Sequence, residues 1–146
     1  MDERSLMSVV GHRFPGGRFT VAPYEHWLTC DVVGAPPTRE GVAHPMFVYY
    51  AALGGMGIDL DALFALVGAV ADDGVMFGEA TIDVITPLQV GATYDVRGAV
   101  TDIVRKQGRR AGVFDVVTFA LDVVDTAGTV VGRSTNSFVF PRRGAT

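Results

Sequence analysis

The stretch Gly41-Val42-Ala43-His44-Pro45-Met46-Phe47-Val48-Tyr49-Tyr50 decides how this chain is read. Pro45 suits the first turn of a helix, where its missing amide hydrogen costs nothing. Apolar residues then fill nearly every position from Met46 to Leu53. A helix that is apolar all round is expected to be buried all round. Gly54-Gly55-Met56-Gly57 either stops that helix or lets another backbone come close. Beyond it, Asp59 or Asp61 can cap a further helical turn carrying Leu60, Leu63, Phe64 and Val67.

From Val75 onward the pattern is that of strands. Residues 77–85 form the first, ended near Pro87, and residues 93–104 alternate strictly enough for a second. Residues 113–124 are apolar on both faces, which predicts a central strand. Asp125-Thr126-Ala127-Gly128 is a turn, and residues 129–140 form the last strand. One buried helix followed by a meander predicts an α+β domain, a curled antiparallel sheet wrapped around one long central helix.

The first forty residues carry weaker signals. Residues 1–11 read as a loosely held arm. Residues 12–22 surround Pro15-Gly16-Gly17 and read as a turn-like or bulged strand. Residues 24–33 predict a short helix with Pro23 near its start and Trp27 and Leu28 as apolar anchors, ended by Gly34-Ala35-Pro36-Pro37.

A length of 146 residues suffices for one domain with a real core. A net charge of −4 with no basic stripe argues against nucleic acid as a partner. No apolar run is long enough for a bilayer, since Asp59, Asp61, Asp72 and Asp73 interrupt the richest region. The lone Cys30 reads as a small apolar filler and suits a reducing compartment, so a cytoplasmic protein is expected. No Cys/His spacing suggests a metal, and no phosphate loop or nucleophile elbow is present.

Three segments, in order, resemble the hot-dog fold and within it the MaoC-like (R)-hydroxyacyl-thioester dehydratases and hydratases. Ala43-His44-Pro45-Met46-Phe47 is similar to the family's helix-start signatures. Pro87-Leu88-Gln89-Val90-Gly91-Ala92-Thr93-Tyr94-Asp95-Val96 is similar to its Pro-Leu-x-x-Gly-Asp edge, and Asp125-Thr126-Ala127-Gly128-Thr129-Val130-Val131 to its hairpin. The resemblance covers almost the whole chain as a single domain, 1–146. It implies chemistry on an acyl thioester carried on coenzyme A or an acyl carrier protein, in fatty acid or polyketide metabolism, with no further cofactor.

The family's catalytic loop is Gly-Asp-x-Asn-Pro-x-His. Here Cys30-Asp31 stands at Gly-Asp, Val33-Gly34 at Asn-Pro, and Pro36 at the histidine, so the loop is degenerate. Proline at 45 also has no amide hydrogen to give an oxyanion. The resemblance makes Asp31 the candidate surviving acid, against a capping or turn aspartate. His44 is a candidate replacement base at the helix mouth, against a capping histidine. His26 is a third candidate, oriented by Glu25 if it reaches the pocket, against a surface histidine. Met46, Phe47 and Tyr50 are candidate substrate contacts, with Tyr49 and Tyr50 also fitting a core or a dimer interface. In the turn Arg105-Lys106-Gln107-Gly108-Arg109-Arg110, Arg109 and Arg110 can meet coenzyme A phosphates or an acidic carrier, or simply be a solvated tip.

Four functions follow. The chain is a dehydratase/hydratase or the non-catalytic subunit of a heteromeric one, or a self-sufficient enzyme of altered chemistry such as an isomerase or cyclase. A thioesterase is disfavoured, because residues 46–53 contain no acid. A non-enzymatic acyl-binding module is the fourth. In each case an open sheet edge predicts a homodimer, or a heterodimer with a paralogous hot-dog subunit.

Overall fold

The computed structural model describes residues 1–36, 38, 41–110 and 112–142. Five strands, β1 (Gly17–Thr20), β2 (Met76–Val84), β3 (Thr93–Gly108), β4 (Gly112–Val124) and β5 (Val130–Pro141), form one antiparallel sheet ordered β1-β3-β4-β5-β2. The sheet does not close, and β1 and β2 are its edges. β4 lies at the centre, as its two-faced apolar pattern predicts. Alternation turns Val117, Phe119, Leu121 and Val123 inward, all buried. Burying side chains of this size contributes roughly 1.5–3 kcal/mol each for the larger ones.

Against this inner face lies α3 (Phe47–Gly54), which touches all five strands. Phe47, Val48, Ala51 and Ala52 are buried. One flank, with Tyr50 and the partly buried Tyr49 and Leu53, stays at the surface, so the helix is not enclosed on all sides. The glycine run both stops α3 and admits a neighbour. Gly16 donates its amide to the Met56 carbonyl at 3.0 Å, and Gly57 has φ +84°, where a Cβ would strike the Gly16 backbone. Asp59 caps α4 (Leu60–Leu66) by accepting from the Ala62 amide at 2.8 Å.

Two expectations for the first forty residues change. The N-terminal arm is not loose: Asp2 caps a short helix, α1 (Glu3–Met7), by accepting from the Ser5 amide at 2.8 Å, and Leu6 is buried in the core. The helix predicted over 24–33 is present as α2 (Pro23–Val33), closed by Gly34 at φ +66°. It is turned the other way, however. Trp27 and Leu28 are exposed, while His26 and Cys30 face the core. The helix has apolar residues on both faces, so no stripe in the sequence fixes which one packs.

At one end of the sheet, Asp115 on β4 is fully buried. Arg105 grips it with two bonds, 2.8 and 3.0 Å, and Arg142 adds one of 2.6 Å. Arg142 also donates to the Val67 carbonyl at 2.8 Å, at the C-terminal end of α4, where a cation is favoured. The Arg105–Arg110 segment is therefore not all turn. β3 runs to Gly108, and Arg105 is committed to Asp115. Among the described residues no helix is long and apolar enough to cross a membrane.

Candidate functional site

The entrance to α3 is built by a short ladder. Ala43 donates to the Leu88 carbonyl at 2.7 Å, Val90 donates to that of Gly41 at 2.7 Å, and Val42 bridges Gln89. Two stretches 45 residues apart, around Ala43-His44-Pro45 and Pro87-Leu88, are thereby held side by side. Between them opens an apolar cavity of about 270 Å³, walled chiefly by Val42, Pro45, Val48, Val84, Pro87 and Leu88. His44 and Thr38 are the polar side chains among its lining residues.

His44 is half-buried, and its Nδ1 accepts from the Met46 amide at 3.2 Å. A neutral imidazole that accepts at Nδ1 carries its proton on Nε2. In that tautomer Nε2 is the ring's donor. The amides at the helix entrance are also engaged. Met46 donates to His44 Nδ1, Phe47 to the His44 carbonyl at 2.9 Å, Val48 to the Pro45 carbonyl at 3.1 Å, and Pro45 has none. The three first amides thus have acceptors within the chain, which leaves little for an oxyanion.

The other candidates lie elsewhere. Asp31 is exposed on the last turn of α2, and its carboxylate has no bonded partner among the described residues. His26 is buried rather than a surface histidine. Its Nε2 is 3.5 Å from Cys30 Sγ, and its ring lies 5.8 Å from that of Phe47. Glu25 does not orient it, because successive helical residues point apart and Glu25 instead accepts from the Tyr24 hydroxyl at 3.2 Å. No hydrogen bond or ion pair joins Asp31, His26 and His44 among the described residues.

Of the expected substrate contacts, none lines the cavity. Met46 is partly buried, Phe47 packs edge-on against Tyr50 at 5.4 Å, and Tyr50 is exposed. Helical rotation brings the next residue, Val48, to the cavity wall instead. Arg109 and Arg110 are exposed at the β3–β4 hairpin tip.

No known sequence family matches the chain, and no curated protein does. Solved structures do. The ChsH1-ChsH2 complex from Mycobacterium tuberculosis superposes with a TM-score of 0.72 at 12% identity, over 98% of this chain and 93% of that one. A MaoC-like dehydratase gives 0.70 at 16% identity over 94% of this chain, which spans 44% of the dehydratase. The monoamine oxidase regulatory protein from Archaeoglobus fulgius gives 0.66 at 18% identity, covering 94% of both chains. The chain therefore has the hot-dog fold. In it a central helix is cupped by an open antiparallel sheet.

Proposed function

We propose that this chain is an acyl-thioester dehydratase/hydratase-like protein, acting as the non-catalytic subunit of a heteromeric dehydratase. It holds the acyl group of a coenzyme A or carrier-protein thioester in its cavity, in the cytoplasm. A paralogous hot-dog subunit supplies the acid–base pair. The observation that carries this lies at His44, the titratable side chain among the cavity's described lining residues, with Nδ1 already engaged and no carboxylate bonded to it. Dehydration needs two titratable groups within reach of one substrate, and a donor at Nε2 suits holding a thioester oxygen better than removing a proton.

The outer edge of β2 supports a partner subunit. Met76, Phe77, Val84 and Ile85 are exposed along or beside an edge strand, the feature that invites another chain. The likeness to a two-protein complex agrees with this arrangement. Arg109 and Arg110 sit at the β3–β4 hairpin tip, at the opposite end of the sheet from this cavity, and take no part in this reading.

The lone chain is expected to bind crotonyl- and longer enoyl-thioesters without hydrating them, measured by calorimetry beside a hydration assay. Robust turnover by the lone chain overturns the non-catalytic assignment. It would favour the alternative, a self-sufficient isomerase or cyclase that uses His44. In that case His44→Ala abolishes turnover, whereas undiminished activity in that variant removes His44 from the chemistry.

A further inference from the structure

The outer face of the sheet, turned away from α3, carries a depression of about 520 Å³. Its floor is the cross-strand pair Ala99 and Ala120. In the neighbouring row Arg97 stands opposite Asp122, Asp122 opposite Arg133, and Arg133 opposite Asp83. By count that row is neutral and could be a plain solvated face. Its bonding is uneven. Asp122 gives both oxygens to Arg133, at 2.7 and 3.2 Å. Asp95, two residues before Arg97, is taken by Arg18 at 2.9 Å. Arg97 is thus left without a bonded carboxylate among the described residues.

Arg13 approaches from the other side. The segment before β1 leaves the ladder at Pro15-Gly16 and meets β3 again at the Arg13–Ala99 bridge. This places Arg13 on the rim of the same depression, also without an ion pair among the described residues. Two guanidinium groups therefore flank a floor of methyl groups. Guanidinium forks match phosphate oxygens, and two of them match the two charges of a phosphate monoester.

We propose that this depression binds a phosphomonoester dianion of a small molecule. Arg13 and Arg97 hold the phosphate, and the Ala99–Ala120 floor takes the body of the ligand by apolar contact. The site lies on the opposite side of the sheet from the thioester cavity and does not depend on that assignment.

The test is titration of the full chain with AMP, inorganic phosphate and acetate, followed by amide chemical shifts. AMP and phosphate are expected to give saturable shifts at Ala99 and Ala120, with AMP the tighter, and acetate none. Arg13→Ala and Arg97→Ala should each weaken AMP by about tenfold or more, as loss of a charge-assisted bond does. Lys106→Ala, an exposed cation outside the depression, should leave it unchanged. Asp122→Asn should tighten it by releasing Arg133. The proposal is overturned by the absence of saturable shifts with AMP and phosphate. Equal binding of acetate, or undiminished AMP affinity in the Arg13→Ala/Arg97→Ala double variant, overturns it equally.

Discussion

The two ends of β5 are built on opposite plans. Near Pro141, the Arg142 and Arg105 side chains saturate the buried Asp115, and Arg142 ties the strand end to α4. Near Val130, Gly132 lies under Val48 and beside Val84, next to the cavity that His44 borders. At the first end the buried carboxylate is met on both oxygens by guanidinium groups. At the second, an apolar volume is left open beside one imidazole. A protein that must hold a ligand needs the second kind of end, and the first keeps the sheet in shape around it.

The contrast is broken most forcefully at Asp115. Asp115→Ala leaves Arg105 and Arg142 facing each other without their counter-charge, a loss expected to cost about 3–5 kcal/mol. Urea unfolding measures it. A cost below about 1 kcal/mol would mean this end is held by apolar packing alone.

A pH series sharpens the same point. Burial by itself would raise the Asp115 carboxyl, but the bonds from Arg105 and Arg142 outweigh it and hold the group below its ordinary value. A carboxyl lowered in the folded state contributes stability that is complete above its unfolded value of about 3.9 and is lost as pH falls through the folded value. The wild-type chain should therefore lose stability below about pH 4 more steeply than Asp115→Asn does. Parallel curves would show that the carboxylate is not the acid-sensitive group.

At the open end, Val84→Trp places a large ring at the cavity rim from an exposed strand position. Thioester binding by the isolated chain should fall by about tenfold or more, while stability changes by no more than about 0.5 kcal/mol. Unchanged binding would move the ligand away from this cavity.

How much of this was legible in the sequence differs between the same regions. The helix start, the strands and the Asp59 cap follow from local chemistry, since apolar period, Pro45 and turn residues all act on neighbours. The cavity wall does not. Val84, Pro87 and Leu88 were visible as a strand end and an edge turn, but only the ladder between 41–43 and 88–90 makes them face His44. Asp115 carries a signal of its own. Of the two carboxylates in β4 it is the one in phase with Val117, Phe119 and Leu121, where a buried charge demands partners. Those partners lie 10 and 27 residues away, beyond the reach of any local pattern.

The smallest expected effect is at His26, and it separates burial from function. The ring is enclosed by Cys30 and Phe47, and its polar contact among the described residues is the 3.5 Å approach to a sulfur, a weak partner at best. A side chain held this way acts mainly as volume. His26→Leu, of similar bulk, should therefore change stability by less than about 1.5 kcal/mol in either direction. It should also leave thioester binding at the His44 cavity unaltered, because His26 is not among that cavity's walls. If His26→Leu instead abolished binding or turnover while the chain stayed folded, α2 would have to open in the working complex. The closed contact of His26 with Phe47 would then be a resting state of the site.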